Sequence, residues 1–159
     1  MSPTGYIKDV NMTSRTDQEI ADRLSRRRAR MLPVLAIFFL MQQAAYFSHP
    51  DTGRTVDHFR VSAWIALSLV MLVMLVSGGA WFRPASVRAL LDDEVTRAHR
   101  GKAFETAFIA TMVAAIALYF VSLFEPLSGR DAIHLLLSVG IACALLRFGM
   151  LERRAHRDG

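Results

Sequence analysis

Cysteine is almost absent from this chain, which has a single one, Cys143, among 159 residues. One thiol forms neither an internal disulfide nor a CxxC redox pair, so disulfide frameworks and dithiol chemistry are excluded. Cys143 lies within an apolar run, where a cysteine is typically a small buried hydrophobic side chain. The chain also has no hydrophobic leader with a small-residue cleavage site, and we expect no cleaved signal peptide.

Motifs for catalysis and nucleotide binding are lacking too. The sequence shows no phosphate-binding Gly-rich loop, no HExxH pair and no catalytic triad. The apolar runs hold one histidine, His134, which excludes a haem held by two histidines of facing helices. They also lack the paired aspartates of membrane aspartyl peptidases. We therefore expect no enzymatic activity and no cofactor.

Long apolar runs, by contrast, are abundant. Hydrophobic residues make up 53% of the chain and charged residues 21%, and the charges are segregated into blocks between the apolar runs. A helix of about 20 residues crosses a hydrocarbon core of about 30 Å, and helix satisfies its own backbone there. The pattern predicts an all-α polytopic membrane protein, a bundle of four transmembrane helices. The predicted spans are residues 31–48, 61–82, 103–124 and 132–151, within a transmembrane domain 31–151.

The distribution of lysine and arginine predicts the orientation. Sixteen of the 19 basic residues lie in the N-terminal segment, the second loop and the C-terminal end, and three lie in the other two loops. The positive-inside rule then places both termini and the second loop in the cytoplasm of a bacterial inner membrane. The net charge of +5 is explained by this orientation, so we expect no nucleic-acid partner.

The N-terminal segment, residues 1–30, is polar and basic. A capping box over residues 16–19 predicts a helix start, after a loosely ordered stretch over residues 1–14. The helix that follows is amphipathic and suits the anionic lipids of the inner leaflet. Pro33 is expected to kink or break its junction with the first span. Residues 152–159 form a cytoplasmic tail.

The second loop combines acids, bases and apolar residues at helical spacing. Asp93 and Arg97 are four residues apart in the favourable order for a helical ion pair. No proline follows Pro84 until Pro126. We predict a helical cytoplasmic loop that is continuous with the third span from about Ser86 onward.

Two ionisable residues lie near the cytoplasmic ends of the last two spans. Glu105 is close to the start of the third span, and Arg147 is close to the end of the fourth. A charge in a span is unfavourable unless it is satisfied, and consecutive spans pack as neighbours. The sequence therefore predicts a structural ion pair between Glu105 and Arg147.

Polar residues toward the outer face support two further hypotheses. Asp131 is expected to cap the fourth helix, and its spacing to His134 places both on one helical face. With other Asp/His pairs they are candidates for a metal site, although none of the pairs has a diagnostic spacing. The candidate ligands are His49, Asp51, Asp57, His58, Asp131 and His134. A polar path for transport would be lined by Gln42, Gln43, Thr111, Tyr119, Ser122 and His134.

Small residues are most frequent in the third span, at Ala107, Thr111 and Ala115 among others, and predict that it is the most buried helix. The second span, rich in Leu and Val, is predicted to face lipid. These features favour a non-catalytic membrane protein that acts as a subunit, scaffold or regulator of a larger complex, with a protein partner or as a homo-oligomer. A small oligomeric transporter or channel is one alternative. An outer-face metal or redox-cofactor protein is the other.

Overall fold

The computed structural model describes residues 4–48, 55–78 and 94–158, and its regular structure there is entirely helical. Four helices follow one another: α1 (Thr4–Phe47), α2 (Thr55–Val76), α3 (Glu94–Ser122) and α4 (Gly129–Asp158). The predicted all-α class is confirmed.

Three of these helices are long and apolar enough to cross a membrane: Phe59–Val76 in α2, Glu94–Ser122, which is the whole of α3, and Gly129–Ala155 in α4. They overlap the second, third and fourth predicted spans. The predicted first span, residues 31–48, lies within α1 but for its last residue and is not among the three. The architecture is thus that of a helical protein with several candidate membrane spans.

The N-terminal helix α1 is longer than expected. It begins at Thr4, so the capping box at residues 16–19 lies inside a helix and does not start one. Residues 4–14, for which the sequence predicted loose order, are helical. The sequence predicted a kink or a break at Pro33; the helix continues through this residue, so a break does not occur there. Local signals for helix starts and stops are overridden here.

A contact from the far end of the chain explains how α1 tolerates Pro33. Proline has no N–H, so the carbonyl of Ala29, four residues earlier, has no helical donor. Arg153 of α4 supplies that donor: its Nε donates to the Ala29 carbonyl at 3.0 Å. Gly149 allows the approach, since a Cβ at this position would lie 2.8 Å from Cδ of Pro33.

This arrangement predicts coupling between Arg153 and Pro33. Arg153→Leu should lower the free energy of unfolding by about 1.5–3 kcal/mol, the range for a hydrogen bond to a charged group. In a Pro33→Ala background the new N–H can bind the Ala29 carbonyl, so the same change should have less than about half that effect. Unfolding of the purified protein in mixed micelles, followed by circular dichroism, measures both. Equal losses in the two backgrounds would contradict the coupling.

The centre of the bundle is α4, which packs against each of the other three helices. Buried residues recur at helical spacing along α4 and pack against a matching buried stripe of α1. The two stripes are formed by Ile141, Leu145 and Phe148 of α4 and by Ala29, Leu32, Ala36 and Phe39 of α1. Such i, i+3, i+4, i+7 stripes are typical of helices that pack side by side.

Burial of α3 and α4 reverses the predicted order. In the apolar window of α3, 6% of the residues are buried, against 17% for α2 and 44% for α4. The prediction that the third span is the most buried is therefore wrong. Its small residues do form a close contact, because a Cβ at Gly140 would lie 2.8 Å from Oγ1 of Thr111. That contact face is narrow, and the large apolar residues of α3 point away from it.

The predicted helical loop is confirmed in the part that the structure describes. From Glu94 to Lys102 the chain is helical and continuous with the rest of α3. Gly101 is exposed and does not interrupt the helix, and a Cβ added at this position would meet no atom within 4 Å. The predicted start at Ser86 lies outside the described residues, as does Asp93 of the predicted Asp93–Arg97 pair.

Candidate functional sites at the two ends of the bundle

A buried ion pair lies at one end of the bundle, which we call the arginine end because it carries Arg28. The Nη2 of Arg28 lies 2.6 Å from Oε2 of Glu152, and the two side chains are 8% and 5% exposed. The Nη1 of Arg28 donates to the carbonyl of Gly78 at 2.8 Å. Gly78 has a φ of 61°, the left-handed conformation that glycine adopts readily just past the end of a helix. The guanidinium thus joins α1, the end of α2 and α4.

The same cluster also includes residues of α3. Thr96 places its Oγ1 3.4 Å from Nη2 of Arg28. His99 places its Nδ1 3.4 Å from the other carboxylate oxygen of Glu152. We call these residues, Arg28, Thr96, His99 and Glu152, the Arg28 cluster. It joins α1, α3 and α4, and through the Gly78 carbonyl also the end of α2, by groups that would be unfavourable if buried singly.

The Arg28 cluster is not among the predicted sites, although the sequence contains a signal for it. Arg28 is four residues before buried Leu32, and Glu152 is four residues after buried Phe148. Both charged residues therefore extend the buried stripes of their helices by one turn. The signal is masked because Arg28 belongs to a run of arginines, and such a run is typical of a solvated basic face.

The predicted ion pair of Glu105 and Arg147 is not among the ion pairs formed by the described residues. Glu105 is exposed on α3. Arg147 is half-buried, and its Nε has no hydrogen-bond partner within the described parts of the chain. In this part of α4, the residue that forms an ion pair is instead Glu152, whose partner is Arg28 of α1.

The opposite end of the bundle holds a stack of rings around His134. Its ring lies between those of Tyr46, at 4.1 Å between centroids, and Trp64, at 4.0 Å. The Nε2 of His134 is hydrogen bonded to Oε1 of Gln43. The guanidinium of Arg60 lies over the ring of Tyr46, 5.9 Å from the centroid. We call these residues, Gln43, Tyr46, Arg60, Trp64 and His134, the His134 stack.

The polar path predicted for transport is brought together only in part. Gln43 and His134 are in contact and buried, and Gln42 is half-buried. The hydroxyl of Thr111 donates to the Ala107 carbonyl of its own helix. The remaining two residues of the predicted path, Tyr119 and Ser122, are exposed on α3.

The structure describes the side chains of only some of the predicted metal ligands. His49 and Asp51 lie outside the described residues, and Asp57 and His58 lie in α2 with side chains that are not described. The described residues contain no group of three or more His, Cys, Asp or Glu side chains arranged to hold a metal ion.

Asp131 and His134 have other roles than metal binding in the described structure. The Oγ of Ser128 accepts the N–H of Asp131 at 3.1 Å and donates to its carboxylate at 2.7 Å. Ser128 therefore caps α4, and the prediction that Asp131 is the cap is wrong. The two faces of the His134 ring are covered by Tyr46 and Trp64.

The described parts of the chain are all-helical, and three of their helices could cross a membrane. No family model, no curated protein and no solved structure matches this chain. Its function is therefore inferred from its own residues.

Proposed function

We propose that this chain is a small, non-catalytic integral membrane protein of a bacterial inner membrane and acts as a subunit of a larger membrane complex. The observation that carries this proposal is the position of Glu105. Its carboxylate is exposed on α3, near the start of the apolar part of that helix, and has no ion-pair partner among the described residues. A charge that faces lipid is unfavourable unless another group satisfies it.

The surroundings of Glu105 indicate what kind of partner would satisfy it. Large apolar residues continue its exposed stripe along α3 at helical spacing, namely Ile109, Met112, Ile116 and Tyr119. We infer a partner helix that lies along this stripe and carries a lysine or arginine at the depth of Glu105. Salt bridges and close packing are the interactions that associate helices in lipid.

The proposal includes four membrane spans, with α1 supplying the first over residues 31–48, and both termini in the cytoplasm. The support is the excess of lysine and arginine in alternate segments. In this orientation the arginine end is cytoplasmic. A cysteine introduced at Ser128 should then react with an impermeant maleimide added to whole cells, and one at Ser86 should not. If only the cysteine introduced at Ser86 reacts, the orientation is the opposite of the one proposed.

Photo-crosslinking tests the partner. A photoreactive amino acid at Ile109 or Ile116 should give an adduct of one defined mass in native membranes, which mass spectrometry then identifies. The control is the same amino acid at Leu69 or Val70, exposed positions of α2 that we assign to lipid. Glu105→Gln should reduce the α3 adduct about fivefold or more if its ion pair contributes about 1 kcal/mol. Glu125→Gln, an exposed acid just beyond the other end of α3, should leave it unchanged.

Two outcomes would overturn the proposal. An adduct composed of two copies of this chain would show that the partner at α3 is a second copy and that the chain forms a homo-oligomer. Adducts of lipid alone, equal at α2 and α3 and unaffected by Glu105→Gln, would leave α3 as an ordinary lipid-facing helix.

A further inference from the structure

A groove lined by arginines lies at the arginine end, between α1 and the last turns of α4. Its volume is about 540 Å³, and its lining residues are Arg26, Ala29, Arg30, Arg153, Arg154 and Arg157. A second, adjoining hollow of about 330 Å³ is lined by Arg23, Arg26, Arg27, Arg30 and Met31. Arg26 and Arg30 belong to both. We call the two together the arginine groove.

The charge of the arginine groove is not neutralised within the described chain. Among the side chains that the structure describes, neither hollow has an acidic residue in its lining. Four of the arginines, Arg26, Arg30, Arg154 and Arg157, form no ion pair with a described residue, in contrast to buried Arg28. Like charges held this close together are unfavourable unless an anion lies between them. Arginine binds phosphate through two parallel N–H donors, so phosphate is the anion that this lining fits best.

The residues next to the groove indicate that the phosphate belongs to a lipid. Met31 lines the smaller hollow and is 45% exposed. Val34, Phe38 and Met41 follow it along the same face of α1 and are 57%, 59% and 67% exposed. An apolar stripe that starts at a phosphate site can bind acyl chains, whereas a soluble phosphate compound has no acyl chain to place there. Basic pockets at the cytoplasmic ends of membrane helices bind the headgroups of anionic lipids in this way.

We propose that the arginine groove is a binding site for a lipid with two phosphates, a diphosphatidylglycerol of the cardiolipin class. Each hollow takes one phosphate, and Arg26 and Arg30 lie between them and contact both. The acyl chains lie along the stripe from Met31 to Met41. This proposal requires that the chain lies in a membrane, but it does not depend on a protein partner at α3.

Lipid titration of the full-length protein tests the site. The purified protein in a neutral detergent is titrated with cardiolipin, with phosphatidylglycerol at equal phosphate concentration, and with inorganic pyrophosphate, and bound species are counted by native mass spectrometry. Cardiolipin should bind at least tenfold more tightly than phosphatidylglycerol, because one molecule occupies both hollows. Pyrophosphate should bind at least a hundredfold more weakly than cardiolipin, because it has no acyl chains.

Paired substitutions locate the binding. Arg30→Gln with Arg154→Gln should weaken cardiolipin binding about 30-fold, at about 1 kcal/mol for each arginine. Arg26→Gln with Arg157→Gln is a second variant of exposed residues, and the same loss is expected. The control removes two charges elsewhere at this end, Arg97→Gln with Lys102→Gln on α3, and should change binding less than about threefold. Thermal unfolding of each variant checks that it is folded.

Three results would each overturn the proposal. Equal affinity for cardiolipin and phosphatidylglycerol would reduce the groove to a general anionic-lipid surface. Equal affinity for pyrophosphate would make it a site for a soluble phosphate compound. Equal losses in the groove variants and the α3 control would show that total charge, and not the groove, determines binding.

Discussion

Replacing Arg28 by methionine should lower the free energy of unfolding by about 3–5 kcal/mol, the range for breaking a buried ion pair from one side. The change leaves the carboxylate of Glu152, in a side chain 5% exposed, with the imidazole of His99 as its remaining partner among these residues. It also removes the donor to the Gly78 carbonyl at the end of α2. Unfolding in mixed micelles, followed by circular dichroism, measures the loss.

Matched variants separate the ion pair from the general effect of removing a charge. Arg27→Met changes an exposed neighbour and should alter stability by less than about 0.5 kcal/mol. The double variant Arg28→Met with Glu152→Met leaves no buried charge unpaired and should recover most of the loss. If the double variant loses the sum of the two single losses, the Arg28 cluster does not act as a pair.

Only part of the fold can be predicted from the sequence. Hydropathy and charge segregation predicted helices and three of the spans, because those properties are averages over about 20 residues. The path of α1 through Pro33 was not predictable, since the missing hydrogen bond is supplied by Arg153, 124 residues from Ala29. Local rules for helix ends describe a helix in water and contain no information on such donors.

The prediction that α3 is the most buried helix failed for a different reason. Small residues show where helices approach closely, and the contact of Thr111 with Gly140 confirms that use of them. They do not show how much of the helix the contact covers. The central helix is instead α4, whose buried set combines small residues such as Ala144 with large ones such as Leu145 and Phe148.

The His134 stack is predictable from the sequence only as separate parts. His134 and Gln43 both belong to the polar path that the sequence suggested for transport. Their contact requires the ends of α1 and α4 that carry these two residues to be adjacent, which follows from the packing of α1 on α4. Trp64 lies near the start of the second predicted span, and in the structure it is half-buried against His134. The sequence shows residue types on each helix but not how the helices are rotated.

His134→Ala should have the second large effect, a loss of about 3 kcal/mol in the free energy of unfolding. Truncating a buried ring leaves a cavity between Tyr46 and Trp64, and losses of about 3–5 kcal/mol are usual for buried aromatic residues changed to alanine. It also leaves Oε1 of Gln43 without its hydrogen bond. Ile133→Ala, at a neighbouring residue that is 61% exposed, is the control and should have a much smaller effect.

His134→Phe separates the stacking of the ring from its hydrogen bond. The phenylalanine ring keeps the contacts with Tyr46 and Trp64 but cannot pair with Gln43, so the loss should be about 1–3 kcal/mol, the cost of one unsatisfied buried polar group. Adding Gln43→Leu removes that group and should recover part of the loss. In a Trp81→Phe background, the emission of Trp64 should shift to the red in the alanine variant and stay near its original wavelength in the phenylalanine variant. If both variants shift the emission and lose stability equally, packing between Tyr46 and Trp64 is not what holds His134 in place. The hydrogen bond to Gln43 would then be the main interaction that joins α1 to α4 at this end.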